Sequence, residues 1–498
     1  MEQLKNFKDF IKKIENLRQA SLILKWDMET CMPKNGAEAN IAAITYLSNE
    51  AFKLSISDEM KNYLDELSKE QNFSKMDNIF KTMIIKEKKE FDKTKNVPLE
   101  LATHMTEVCQ RSQNTWFSAK PENNFNKMIP YFREIVMLAK EISRYKDPNK
   151  SAYDVLIDKF EQDMDTQSVE KLFSELKDGI VPLIEAISEK KQFDDSKFKG
   201  TFEKYRQKEL SYYFMDVVGY DLNSGVLGEA QHPFAMGNSP FDVRITTNYH
   251  LDDVRPALFS ILHECGHAIY EQNLSTNLVG TFLNRGTTMG MHESQSRFYE
   301  NIIGRNKNFW VNHYDKLGQI LPYFKSIPRD EFYRGVNKVE PSLVRIQADE
   351  LTYNLHIIIR FELEKALFDG TLSVKDLPTA WHDKMKSYLG VEPTSHQCGV
   401  LQDVHWPSGL FGYFPSYALG NIYSGQFLMQ IEKELGNFDE LLINQKIPKI
   451  TSWLTKNIHQ YGKMKTPKEI IRDTCNSEID VKPIIKYYTN KFTELYDL

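Results

Sequence analysis

The sequence predicts a mainly α protein, a large helical body with a small β-sheet placed beside its chemistry. Apolar residues recur at three- and four-residue steps through most of the 498 positions, the period of helices with one buried face. Gly and Pro gather between those stretches, as in PENN at 121–124 and KDPNK at 146–150. Only residues 241–249 alternate with a period of two, as a half-buried strand does. A hydrophobic fraction of 41%, with 30 Phe and 24 Tyr, supplies a large core and excludes a disordered chain. With no solenoid repeat and no long Pro/Ser-rich linker, 1–498 reads as a single domain.

Taken in order, Leu4, Phe7, Ile11, Ile14 and Leu17 define an amphipathic helix over the first 25 residues. Comparable patterns predict helices over 37–70, 75–118, 124–146 and 166–190. The Gly-rich stretch 219–240 reads as a loop or hairpin connection leading into the strand. In that strand Phe241, Val243, Ile245, Thr247 and Tyr249 share one side, and Asp242, Arg244, Thr246 and Asn248 the other. Helical patterns resume around 256–269, where Pro256 suits a first turn, and over 289–303, 345–368 and 418–435.

Charge and cysteine usage remove several function classes. Lys+Arg number 63 against 69 Asp+Glu, a net charge of −6, and no basic stripe dominates any segment, so a nucleic-acid partner is not expected. The five cysteines (Cys31, Cys109, Cys265, Cys398, Cys475) are odd in number and widely spaced, which argues for a reducing compartment. The first 20 residues lack the apolar core of a leader, and no stretch reaches the ~18 apolar residues a membrane span requires. A soluble, cytoplasmic protein is expected.

The chemistry centres on ILHECGHAI at 261–269. Four residues apart on a helix, His263 and His267 project from one face and can grip one ion, while Glu264 lies beside it as a general base. The alternative is two solvent-facing histidines on an ordinary helix. Against that, five of the 12 histidines (His232, His250, His263, His267, His292) fall between 232 and 292. The histidine continuation of the metzincins is excluded, because Tyr270 and Asn273 occupy its Gly and His positions. A third ligand is then expected from 289–303. Glu293 is favoured, with Ser294, Gln295 and Arg297 as possible supporting partners, and Glu300 and His292 as rivals. Gly266 suggests close approach of another backbone.

The motifs together make the sequence recognisable. It resembles the M32 family of metallocarboxypeptidases, typified by thermostable carboxypeptidase Taq, over essentially its whole length. WDMETCMPKNGAEA at 26–39 is similar to that family's amino-terminal signature. HPF (232–234), DVRIT (242–246), HECGH (263–267), HESQ (292–295), VRIQAD (344–349) and GVLQDVHW (399–406) follow in the family's order, running into FGYFPSY at 411–417. The one departure is Val344 in place of the usual Ile.

The resemblance implies a zincin-type body with a deep groove between two helical lobes, one zinc per chain (cobalt as a possible substitute), a homodimer, and broad removal of single residues from peptide C-termini. It implies that His405 lines the site. His405, Tyr413 and Tyr417, in a stretch too irregular for a helix, are candidates to stabilise the oxyanion. For the substrate carboxylate, Arg345 is the preferred anchor, opening a helix-like run, and Arg244 the second candidate unless Asp242 holds it in an ion pair. His232, Asp242 and Gln402 stand in the same motifs and are expected near the substrate. The strand 241–249 is a candidate edge for pairing with an extended peptide. The rival reading is an oligopeptidase or dipeptidyl carboxypeptidase on a similar scaffold; a more distant one is a helical binding protein with a structural metal.

Overall fold

The computed structural model describes residues 2–498, and helices account for most of them. The amino-terminal helices, Glu2–Thr30, Ala37–Ser55, Asp58–Leu67 and Asn78–Lys95, form a lobe with its own core. Phe7, Phe10, Ile11, Ile14, Met60, Leu64, Met83 and Ile84 meet there, joined by Leu278 and Leu283 from the main body. This lobe is tied to the rest through ion pairs, Lys93 to Asp158 at 2.7 Å and Arg285 to Glu15 at 3.2 Å. The remaining helices share one large core. At its centre runs Pro415–Leu435, buried along most of its length, against which Met289–Arg297 packs.

Two expected long helices are broken for local reasons. The 37–70 stretch divides at Ser57, whose hydroxyl accepts from the Met60 amide and starts a new helix. The 75–118 stretch divides before Pro98, which has no amide hydrogen to continue the ladder, giving Asn78–Lys95 and Leu99–Ala119. The helix expected from 345 begins only at Tyr353, after a short 3₁₀ turn at Arg345–Gln347. Asp349 stops the run by accepting from the Leu351 and Thr352 amides, both at 2.9 Å. The 418–435 helix starts at Pro415, which places Tyr417 in its first turn and not in the preceding loop.

The Gly-rich stretch before the strand contains two further strands. β1 (Leu227–Glu229) pairs parallel, and β2 (Ala235–Ser239) antiparallel, with β3 (Asp242–Thr247), in the order β1-β3-β2. This corrects the expectation that 241–249 offers an edge to substrate: Ile245 faces Leu227 on one side and Ala235 on the other, so β3 is central. Val243 and Ile245 are fully buried. Trp26 of Glu2–Thr30 packs edge-on against Phe234.

Candidate metal centre and active site

His263 and His267 lie on the buried helix Arg255–Gln272. Their Nε2 atoms stand 3.6 and 3.5 Å from one oxygen, Glu293 Oε2, and the three donor atoms are within 4.8 Å of one another. Glu293 arrives on Met289–Arg297, and the two helices approach so closely that glycine is required. A Cβ on Gly266 would sit 2.5 Å from the Gln295 carbonyl oxygen and 2.6 Å from Ser296 Cα. On the opposite side, a Cβ on Gly420 would lie 2.8 Å from Glu293 Cβ.

The far side of each imidazole is occupied. His263 Nδ1 meets Glu300 Oε2 at 2.8 Å, and His267 Nδ1 meets His292 Nδ1 at 2.6 Å. His292 Nε2 in turn reaches Glu271 Oε1 at 2.8 Å. The carboxylates at the ends of both chains accept from the rings, so each Nδ1 donates outward and each Nε2 is left to face Glu293. Glu300 and His292, the rivals for third ligand, therefore back up the histidines. Burial drives His267 down to about 3, so it stays neutral. Burial alone would lower His263, yet the Glu293 and Glu300 charges outweigh it and raise it.

Burial opposes ionisation of Glu293, but Arg297 and the two histidines hold it well below the carboxylate range. Arg297 donates to Glu293 at 2.7 Å and to Glu300 at 3.1 Å, and Ser296 Oγ donates to Glu293 at 3.0 Å. Ser294 and Gln295 turn elsewhere: Ser294 bonds back to Met291 O, and Gln295 Oε1 pairs with His459. Neutral His267, His263 once it yields its proton to an incoming cation, and ionised Glu293, all oriented from behind, fit a divalent cation such as zinc. Glu264 is buried beside them. Burial, followed by the Glu293 and Glu300 charges, pushes it up to about 7 against the pull of His263.

A second constellation surrounds Asp403. Arg345 donates Nε and Nη2 to Asp403 Oδ1 at 3.1 and 2.8 Å, and Arg360 donates Nε and Nη2 to Oδ2 at 2.8 and 2.6 Å. Despite burial, the two guanidinium groups hold Asp403 far below the carboxylate range. Two arginines against one aspartate leave one positive charge in excess. His405, lowered to about 4 by burial, stays neutral, with Nε2 3.2 Å from the Tyr417 hydroxyl. Tyr413 stacks tilted against His405 at 5.4 Å and lies 5.3 Å from the Tyr417 ring. Both tyrosines feel the Glu293 charge, which helps burial raise them.

These motifs have counterparts in known proteins. The model of a family described as carboxypeptidase Taq (M32) metallopeptidase matches residues 6–492. The chain belongs to the M32 family. It is a metallocarboxypeptidase, a hydrolase of peptides. It is 42% identical over 494 residues to carboxypeptidase 1 of Bacillus subtilis (strain 168), covering 99% of this chain and 98% of that one. It is 32% identical to thermostable carboxypeptidase 1 of Thermus thermophilus, at 99% and 98% coverage. The crystal structure of M32 carboxypeptidase from Deinococcus radiodurans R1 superposes with a TM-score of 0.97 at 31% identity, each chain covered completely.

The M32 motifs do not all converge on the metal cluster. Arg244 is held by Asp242 in a two-point ion pair at 2.7 and 3.0 Å and lies over Trp26 at 5.7 Å, at the sheet surface. His232 is exposed in the turn before β2. Gln402 spends both ends of its amide on protein: Oε1 accepts from the Arg345 amide and Arg360 Nη2, and Nε2 donates to the Leu343, Cys398 and Gly399 carbonyls.

Sequence reasoning missed Asp403, Arg360, Tyr353, Glu271 and Glu364. Glu364 accepts from Tyr153 OH, Trp406 Nε1 and Gly412 N at 2.7–2.8 Å and so clamps the 405–414 loop from beneath. Asp403 stood within a quoted motif; the partners of Arg360, Glu271 and Glu364 are distant in sequence, and Tyr353, close behind Arg345, has the look of an ordinary helix residue.

Proposed function

We propose that this M32 enzyme removes single residues, with broad specificity, from the free C-termini of peptides, using one divalent cation held by His263, His267 and Glu293. Zinc suits the mixed nitrogen and oxygen donors, with cobalt as a substitute. The cation when bound supplies a Lewis acid that acidifies water and polarises the scissile carbonyl. Glu264, adjacent to His263 and raised toward neutrality, takes the proton from the attacking water and returns it to the leaving amine. Neutral His405 and the Tyr413 and Tyr417 hydroxyls stand as donors for the developing oxyanion.

The observation that carries the exopeptidase reading is the excess positive charge at Arg345, Arg360 and Asp403. Arg345 still has free N–H groups for a terminal carboxylate. Gln402 and Asp403 set the pose of Arg345, as Asp242 does for Arg244 at the sheet, and His232 before β2 is assigned a place near the substrate. Incubating one peptide as free acid and as C-terminal amide, with and without chelator, tests this. Chelator should abolish release of the terminal residue, and amidation should remove most of the rate. Equal cleavage of both peptides would instead favour the oligopeptidase reading. The reading extends to a single peptidase domain over 1–498, a cytoplasmic location and a homodimer, the last checked by light scattering.

A further inference from the structure

The metal-side carboxylates and the expected carboxylate anchor share one side chain. Tyr353 is the first residue of helix Tyr353–Asp369, and its ring and hydroxyl serve different partners. Over the ring, 4.3 Å from its centroid, lies the guanidinium of Arg297, which holds both Glu293 and Glu300. The hydroxyl accepts from Arg345 Nη1 at 2.9 Å, while Asp403 clamps the other edge of that guanidinium. Tyr353 is 5% exposed, and the Asp349 turn before it fixes where its helix begins.

We propose that Tyr353 is a positioning residue that sets the distance between the carboxylate anchor and the metal centre, and thereby which peptide bond is presented for cleavage. The proposal rests on the reading of Arg345 as that anchor. A phenol suits the task because ring and hydroxyl form one rigid unit. The ring face attracts a cation and the hydroxyl accepts from another, so two arginines that would repel are held at fixed places. Neither end of Tyr353 need touch substrate for the spacing to matter, since a misplacement of ~1 Å costs on the order of 100-fold in rate.

The full-length enzyme carrying Tyr353→Phe keeps the ring under Arg297 and loses only the hydroxyl. Zinc affinity, read by competition with a chromogenic chelator, should stay at the wild-type value. KM for a free-acid peptide should rise about tenfold, and the preference for free acid over amide should fall in proportion. Tyr353→Leu removes the ring as well, so zinc affinity should also drop about tenfold.

A wild-type KM in Tyr353→Phe, zinc loss in Tyr353→Phe equal to that in Tyr353→Leu, or full zinc affinity in Tyr353→Leu would each overturn the proposal. Arg345→Gln separates the two levels. If it leaves the free-acid preference intact, the anchor reading fails and takes this inference with it. If it collapses that preference while Tyr353→Phe does not, the anchor stands and the positioning role fails alone.

Discussion

Each functional side chain here is defined by what holds its far end. His263 and His267 present Nε2 because Glu300 and His292 occupy Nδ1, and Glu293 stays ionised because Arg297 donates to it. Three substitutions separate these roles. Glu264→Gln keeps the size and removes the proposed base, so metal content by elemental analysis should be unchanged while kcat/KM falls about 10²–10⁴-fold. Persistent turnover would mean that another group takes the proton. Glu293→Ala removes a donor atom and should yield protein purified largely without metal. Glu300→Gln loosens the ring of His263 without removing a ligand, and should weaken metal affinity by about 10–100-fold. Metal retained in Glu293→Ala but lost in Glu300→Gln would reverse their assignment.

The site depends on how closely Arg255–Gln272, Met289–Arg297 and Pro415–Leu435 are stacked. Gly266 and Gly420 lie at the two contact faces, and the atoms that an added methyl would meet at Gly266 are backbone. Gly266→Ala would gain about 1 kcal/mol in helix propensity. The clash with Gln295 and Ser296 has no rotamer to relieve it, and overpacking of this kind costs about 1–3 kcal/mol. The expected net result is a lower Tm together with weaker metal binding, since Glu293 moves with its helix. A Tm above wild type would show that the helices can separate without harm. The sheet shows how position within an element limits its use: β3 has the alternation of a half-buried strand, but neighbours on both edges leave it no free ladder.

For the whole molecule, buried carboxylates away from the metal couple stability to pH. Glu161 is 1% exposed, accepts from the Gly290 amide at 3.0 Å, and is pushed up to about 8 by burial. A carboxyl with a raised folded value binds its proton more tightly folded than unfolded. Its favourable contribution is complete below the unfolded value of 4.5 and is lost as pH rises toward 8. Glu161→Gln mimics the protonated form at every pH. Relative to wild type, its stability should therefore improve between pH 5 and 8, by about 4 kcal/mol at the upper end, as read from denaturant unfolding at both pH values. A difference independent of pH would show that Glu161 titrates normally.

The sequence by itself determined the helical class, the HExxH helix, the helical segment that carries Glu293 and the family, because each is written in local spacing. Four-residue intervals place His263 and His267 on one face whatever surrounds them, and ordered motifs survive without knowledge of their contacts. It also located Gly266 as a point of close approach. Only the tertiary structure decided that Glu293 faces the histidines while Glu300 stands behind them, that β3 is central, and that Arg345 shares Asp403 with Arg360. Those outcomes depend on contacts between residues tens to hundreds of positions apart. No local periodicity encodes which of several nearby acids packing will turn toward a cation and which toward the ring nitrogen behind it.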